Sequence, residues 1–257
     1  MPEVELPSRK PRRFRRGVAI LPSIFTTGNL FVGFWALIEA VHHNFERSAI
    51  LIVVAIVLDM LDGRIARLTG TTSEFGAELD SLSDLISFGV APALTTYLWG
   101  LETVSRQGWL VAFLFVVCGA LRLARFNVQK AVVDGRFFVG LPIPAAAGQL
   151  ATVIYVLDDA GQKLPEPVLL ALVVVLAFLM VSTFRYRSFK GIDLKRRRSY
   201  INVLGIALLF LLVALEPKYT LLGLSCAYTA SGPVAYLFGL LRRRITKTVP
   251  TPPEKPV

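Results

Sequence analysis

The 257-residue chain reads as an all-α, polytopic membrane protein of about eight transmembrane helices with an N-terminal interfacial helix. Three observations carry that prediction. Hydrophobic residues make up 54% of the sequence and the mean hydropathy is +0.60, too apolar for an ordinary soluble domain. Apolar runs of bilayer-spanning length recur from end to end. The polar stretches between them are too short to fold alone, although the length would allow one or two soluble domains.

In chain order, residues 1–20 form a basic arm (RKPRRFRR) and an interfacial segment that runs into Leu21-Pro22. No small-residue cleavage site follows the first apolar run, so an uncleaved first helix is expected. Residues 21–245 form the transmembrane domain, with spans predicted at 25–43, 48–68, 75–100, 108–127, 142–158, 166–184, 199–215 and 219–241. The third is interrupted by acids, serines and Gly89, and hydropathy marks it poorly. The Pro142–Gly148 run opens the fifth either as a broken start lining a cavity or as a tightly packed one. The tail 246–257, ending TVPTPPEKPV, is too Pro-rich and polar to pack and is expected to be disordered. Cys118 and Cys226 both lie in apolar runs and read as packed thiols, neither a disulfide nor a metal site.

Charge gives the orientation. If the spans alternate, 24 of the 28 basic residues fall on one side, and only Arg47, Arg106, Lys163 and Lys218 on the other. Under the positive-inside rule both termini are cytoplasmic, in a plasma or inner membrane. The net charge of +10 lies in short inter-helix segments, which argues for a membrane surface and against a nucleic-acid partner. The basic loop 184–199 suits anionic lipid but is accounted for by topology; His42 and His43 read as solvated loop residues on the opposite side.

The chemistry concentrates in DMLDGRIARLTGTTSEFGAELDSLSD, residues 59–84. Asp59, Asp62, Asp80 and Asp84 stand where hydrocarbon is expected, and ionisable groups at membrane depth mark function by default. The members of each pair, three and four residues apart, lie one turn from each other on a helix. Thr71-Thr72-Ser73-Glu74 has the spacing of a capping box, which starts the second helix of a hairpin. Pairing the two helices gathers four carboxylates, which calls for hard divalent cations such as Mg²⁺ or Mn²⁺. Gly63 and Gly76 open the backbone to a ligand, and Arg67 offers a planar fork for phosphate oxygens. Together these features suggest a lipid carrying a diphosphate. The plain alternative is structural salt bridging between helices, with Gly76 as a packing notch.

The stretch resembles the signature of the CDP-alcohol phosphatidyltransferase family. It matches at Asp59, Asp62, Gly63, Ala66, Arg67, Gly76, Asp80 and Asp84 with the right spacing. The resemblance implies displacement of CMP from a CDP-linked lipid by an alcohol, with the aspartates coordinating two metal ions and Asp84 as the base. It also implies that Gly63, Ala66 and Arg67 hold the cytidine diphosphate, with Ser73 and Gly76 nearby. LDSLSDLISFGVAPA (79–93), LRLARFNV (121–128) and GLPIPAAAG (140–148) look like the integral-membrane phosphatidylserine synthases within that family. So does LPSIFTTGNLFVGF (21–34), where Ser23 departs from the usual Asn but Thr26 and Asn29 remain as nucleotide contacts.

That subfamily resemblance implies CDP-diacylglycerol and L-serine as substrates, membrane lipids as surroundings, and a homodimer. Arg122 and Arg125, with Asn127, are candidates for the serine carboxylate, unless the arginines merely anchor the helix at its positive end. Ser87, Phe88 and Gly89 are candidates for shaping the acceptor pocket. Within the family, glycerol phosphate, inositol phosphate or choline are the other acceptors. Intramembrane prenyltransferases also pair Asp-rich helices but lack the Asp-Gly-x-x-Ala-Arg arrangement. A cation transporter would use the acids and leave Gly63 and Arg67 unexplained.

Overall fold

The computed structural model describes residues 13–69, 74–129, 137–187 and 199–247. Helix α1 (Arg13–Val41) and helix α2 (Phe45–Thr69) form a hairpin. The predicted interfacial segment and first span are one continuous helix, because the backbone ladder runs through Pro22 without ending. The connecting turn places His43 at φ 61°, and Asn44 Nδ2 donates to Glu39 Oε2 at 2.8 Å. Ala36, Ala40, Ala49 and Ala55 are fully buried, so small side chains let the two helices approach closely where lipid supplies no hydrophobic drive.

The third predicted span is helical as far as Val104 but not uniformly so. Helix α3 (Glu74–Asp84) passes into a π-helical segment, Leu85–Val90. Helix α4 (Ala91–Thr96) follows, then a second π segment (Tyr97–Leu101) and a 3₁₀ turn (Glu102–Val104). The residues linking these pieces keep right-handed helical dihedrals, so the run is one wound-up rod with local widening. Such widenings occur most often at functional sites. The first sits directly after Asp84. Ser83 Oγ donates to the Thr26 carbonyl at 3.2 Å and Ser87 Oγ to the Asn29 carbonyl at 3.1 Å, which locks the rod against α1. Gly33 makes that approach feasible: a Cβ there would lie 2.7 Å from Ser87 Cα.

Helices α5 (Ser105–Gln129), α6 (Ile143–Asp159) and α7 (Glu166–Val181) complete the core. Helix α6 packs between α2 and α9 (Pro217–Lys247), and α5 packs along α7. Helix α8 (Ser199–Leu215) and much of α9 present apolar side chains outward. Away from the acidic cluster, Lys218 pairs with Glu46 and Asp159, and Trp99 Nε1 donates to Asp158 Oδ1 at 3.0 Å. Cys118 is packed in the core as expected. Cys226 is instead exposed, although its sulfur accepts a hydrogen bond from Gln149 Nε2 of α6 at 3.3 Å.

One element departs from the all-α expectation. Phe137–Val139 (β1) pairs antiparallel with Arg185–Arg187 (β2), Phe138 opposite Tyr186. The chain leaving α5 and the chain leaving α7 thus satisfy each other's backbone groups. Gly140, at φ +83°, turns the chain into α6 where a Cβ would overlap the Met180 carbonyl. Tyr186 is fully buried, and burial pushes its hydroxyl up to about 12, so it remains a hydrogen-bond donor at neutral pH.

The protein is a helical membrane protein. Among the described residues, three stretches are long and apolar enough to cross a bilayer: Ile24–Val41, Arg106–Val128 and Pro217–Gly239. Each predicted span corresponds to a helical run, but α6 and α8 have only 17 residues and α2 carries acids and arginines at its C-terminal end. Replacing Gly33 by Val should overpack the α1–Ser87 contact and destabilise the fold by roughly 1–3 kcal/mol. Thermal unfolding of the detergent-solubilised protein measures it; an unchanged midpoint would show that α1 shifts aside without cost.

Candidate active site

The acids are presented by α2 and by the C-terminal half of α3. One carboxylate oxygen from each of Asp59, Asp80 and Asp84 lies within 4.8 Å of the other two. Asp59 is on α2, while Asp80 and Asp84 share one face of α3. Full charges at that spacing repel by roughly 3–4 kcal/mol per pair at an effective dielectric near 20. Among the described residues, Arg122 is a buried cation on α5 that feels the charges of Asp84 and Asp59, its guanidinium 5.5 Å from the Phe126 ring centroid. One guanidinium cannot balance three carboxylates.

Asp62 is also tied to α1. It is buried and accepts a hydrogen bond from Thr26 Oγ1 at 2.5 Å, and it is not among the three oxygens within 4.8 Å. Three residues advance a helix by ~300°, so Asp62 is rotated by ~60° from Asp59, toward α1. Thr26 thereby joins the acidic hairpin through its side chain and, through its carbonyl, holds Ser83.

The other predicted contacts divide. Asn29 is buried beside Thr26, and neither amide atom has a hydrogen-bond partner among the described residues. A buried amide left unmatched costs ~1–3 kcal/mol, so this one is poised for a polar ligand. Gly63 and Gly76 lie half-buried on α2 and in the first turn of α3. Ala66 and Arg67 continue α2, their side chains lying outside the described residues, as does Ser73 together with Thr71 and Thr72 of the expected capping box.

On the acceptor side, Arg122 is buried against Phe126 and feels the charges of Asp84 and Asp59. Arg125 instead turns to the end of α7, where Nη1 donates to the Val181 carbonyl at 3.4 Å, as a cation suits a helix C-terminus. Asn127 Nδ2 donates to Ser81 Oγ at 2.9 Å and ties α5 to α3. Ser87 and Phe88 are fully buried, with Ser87 committed to the Asn29 carbonyl. Gly89 packs against Leu85 and Ile143. Ser83, fully buried and bonded to α1, went unnoticed in the sequence because it reads as one more polar residue within the motif.

The family model for CDP-alcohol phosphatidyltransferases matches residues 19–184, a region that holds the whole acidic hairpin, α5 and α6. The chain belongs to the CDP-alcohol phosphatidyltransferase family. It is also similar to individual proteins named CDP-diacylglycerol–serine O-phosphatidyltransferase. One from Helicobacter pylori (strain J99) is 38% identical over 226 residues, 87% of this chain and 93% of that protein. One from Methanocaldococcus jannaschii is 37% identical over 189 residues, 74% of this chain and 84% of that protein. One from Bacillus subtilis is 34% identical over 171 residues, 66% of this chain and 91% of that protein.

Divalent metal is used by CDP-alcohol phosphatidyltransferases, and the residues present fit it. The donor set is all oxygen, suited to hard cations. Asp84 Oδ1 is buried with no hydrogen-bond partner among the described residues, an orphaned acceptor inside the cluster. Mn²⁺ titrated into the solubilised protein and followed by electron paramagnetic resonance should bind here. Asp80→Asn should weaken that binding at least about tenfold, ~1.4 kcal/mol. Undiminished affinity in a folded variant would remove the cluster from metal binding.

Proposed function

We propose that the chain is a metal-dependent CDP-diacylglycerol–serine O-phosphatidyltransferase, moving the phosphatidyl group of CDP-diacylglycerol to the hydroxyl of L-serine and releasing CMP. The observation that carries this reading is the convergence of Asp59, Asp80 and Asp84 beside a buried Arg122, in a chain alike over most of its length to proteins of that name. The enzyme is read as an eight-span homodimer of a plasma or inner membrane. Its 21–245 transmembrane domain would be flanked by the cytoplasmic arm 1–20 and a disordered tail 246–257, with the site facing the cytoplasm, as the basic-residue asymmetry favours.

Two Mg²⁺ or Mn²⁺ ions, held by Asp59, Asp62, Asp80 and Asp84, would supply Lewis-acid neutralisation of the diphosphate and of the departing CMP. The remaining work falls to this chain's residues. Gly63, Ala66, Arg67, Gly76 and Ser73 would cradle the CDP group, and the unmatched Asn29 amide beside Thr26 would meet polar groups of the nucleotide. Serine enters with its carboxylate directed to Arg122, with Arg125, Asn127 and Ser87 holding the surrounding helices in place. Asp84 takes the hydroxyl proton while the serine oxygen attacks the lipid-linked phosphorus. The new P–O bond forms as the bond to CMP breaks, and CMP leaves with the electron pair. Holding nucleophile and phosphorus together removes much of the entropic barrier.

The test is purified protein with CDP-diacylglycerol, Mg²⁺ or Mn²⁺, and serine, glycerol phosphate, inositol phosphate or choline, with CMP as readout. Release on adding serine is expected; release only with another alcohol would overturn the serine assignment. Chelation with EDTA should abolish turnover and added Mn²⁺ or Mg²⁺ restore it. Asp84→Asn should keep the fold and lower turnover by roughly 10²–10⁴-fold, the usual scale of a lost general base. Wild-type turnover in that variant would remove Asp84 from the base role.

A further inference from the structure

The first helix meets the acidic hairpin twice at a single residue. Thr26 Oγ1 donates to Asp62 Oδ2 at 2.5 Å, and the Thr26 carbonyl accepts from Ser83 Oγ at 3.2 Å. Asp62 belongs to α2 and Ser83 to α3, next to Asp84, so one residue of α1 joins both helices that carry the acids. Thr26 and Asp62 stand at comparable distances from the α1–α2 turn, and antiparallel packing sets them opposite each other. The buried Ala36, Ala40, Ala49 and Ala55 keep the two helices close enough for a short side chain to reach across.

The backbone that delivers this hydroxyl has little freedom. The Thr26 carbonyl holds Ser83, the Asn29 carbonyl holds Ser87 at 3.1 Å, and Gly33 admits Ser87 against α1. Branching at Cβ restricts χ1, so a fixed backbone also limits where the hydroxyl can lie. Thr26 is 4% exposed and Asp62 5%, a setting in which a carboxylate needs hydrogen-bond partners. The bond on Oδ2 sets the rotation of the carboxyl group and leaves Oδ1 as the oxygen to offer an ion. Carboxylates that ligate metals are themselves oriented by hydrogen bonds, and loss of the orienting group costs about 10–100-fold in affinity. The hydroxyl proton of Thr26, expected from the resemblance to meet the nucleotide, is thus committed to Asp62.

We infer that Thr26 is a positioning residue for Asp62, its hydroxyl holding that carboxylate in the orientation in which it ligates a divalent ion. The inference rests on the proposed metal role of the aspartates and is independent of which alcohol is the acceptor. Thr26→Val keeps the shape of the side chain and removes the donor. Thr26→Ser keeps the donor and removes only a methyl group.

The experiment titrates Mn²⁺ into the full-length protein in detergent micelles, with electron paramagnetic resonance as a readout that needs no turnover. Thr26→Val should raise the Kd of at least one bound Mn²⁺ about tenfold, and Thr26→Ser by less than about twofold. Asp62→Ala should also weaken Mn²⁺ binding about tenfold or more. Adding Thr26→Val to Asp62→Ala should then cost less than about twofold further, because the hydroxyl has no carboxylate left to hold. A role in helix packing alone would instead give losses that multiply. Unchanged Mn²⁺ affinity in Thr26→Val, multiplied losses in the double variant, or equal losses in Thr26→Ser and Thr26→Val would overturn the inference. Should Thr26→Val not fold, undiminished affinity in folded Asp62→Ala overturns it unaided. Wild-type Mn²⁺ binding with no effect of Thr26→Val sinks the inference alone, whereas a wild type that binds no Mn²⁺ overturns the proposed metal dependence as well.

Discussion

Three carboxylates whose oxygens approach within 4.8 Å cannot share a membrane-embedded pocket unless positive charge is brought to them. That constraint organises the protein. Asp59 comes from one helix and Asp80 and Asp84 from the next, so α2 and α3 are obliged to aim these side chains at one point. Arg122 has to be delivered from a third helix, and it is buried against Phe126 with its charge facing the acids. The all-oxygen donor set suits the divalent cations on which the proposed chemistry depends.

The hairpin is held in that costly arrangement by hydrogen bonds to α1. Thr26 and Asn29 offer their carbonyls three residues apart, and Ser83 and Ser87, four apart, reach them. The widened helical turn that begins at Leu85 falls between the two serines and eases this mismatch of spacing. The same α1 segment supplies the Thr26 hydroxyl to Asp62 and the unmatched Asn29 amide. The first helix is thus both clamp and ligand surface. On the opposite side of the molecule, Lys218, Asp159, Glu46 and Trp99 tie helix ends together with no part in the chemistry.

The region after residue 184 adds a different contribution. The β-ribbon carries Tyr186 beneath α9, its ring 5.7 Å from that of Tyr228, and the α6–α9 polar bonds set how α9 is rotated.

The sequence by itself determined the helical membrane class, the position of each long helical run, and the acidic hairpin with its family signature. Those follow from apolar run length and from fixed offsets along one helix, which are local properties. The family resemblance also picked out Thr26 and Asn29, and Arg122 was singled out by its place near the cytoplasmic end of the fourth predicted span. Only the tertiary structure decided that Asp62 turns to Thr26 while Asp59, Asp80 and Asp84 converge. The ~60° offset between Asp59 and Asp62 acquires meaning only once α1 and α3 occupy particular sides of α2. Arg125 and Asn127 looked equivalent to Arg122 in sequence, yet they bond to Val181 and Ser81 because α7 and α3 lie where they do. Likewise the β-ribbon and the packing of Tyr228 on Tyr186 join residues tens of positions apart, and no periodicity along the chain encodes them.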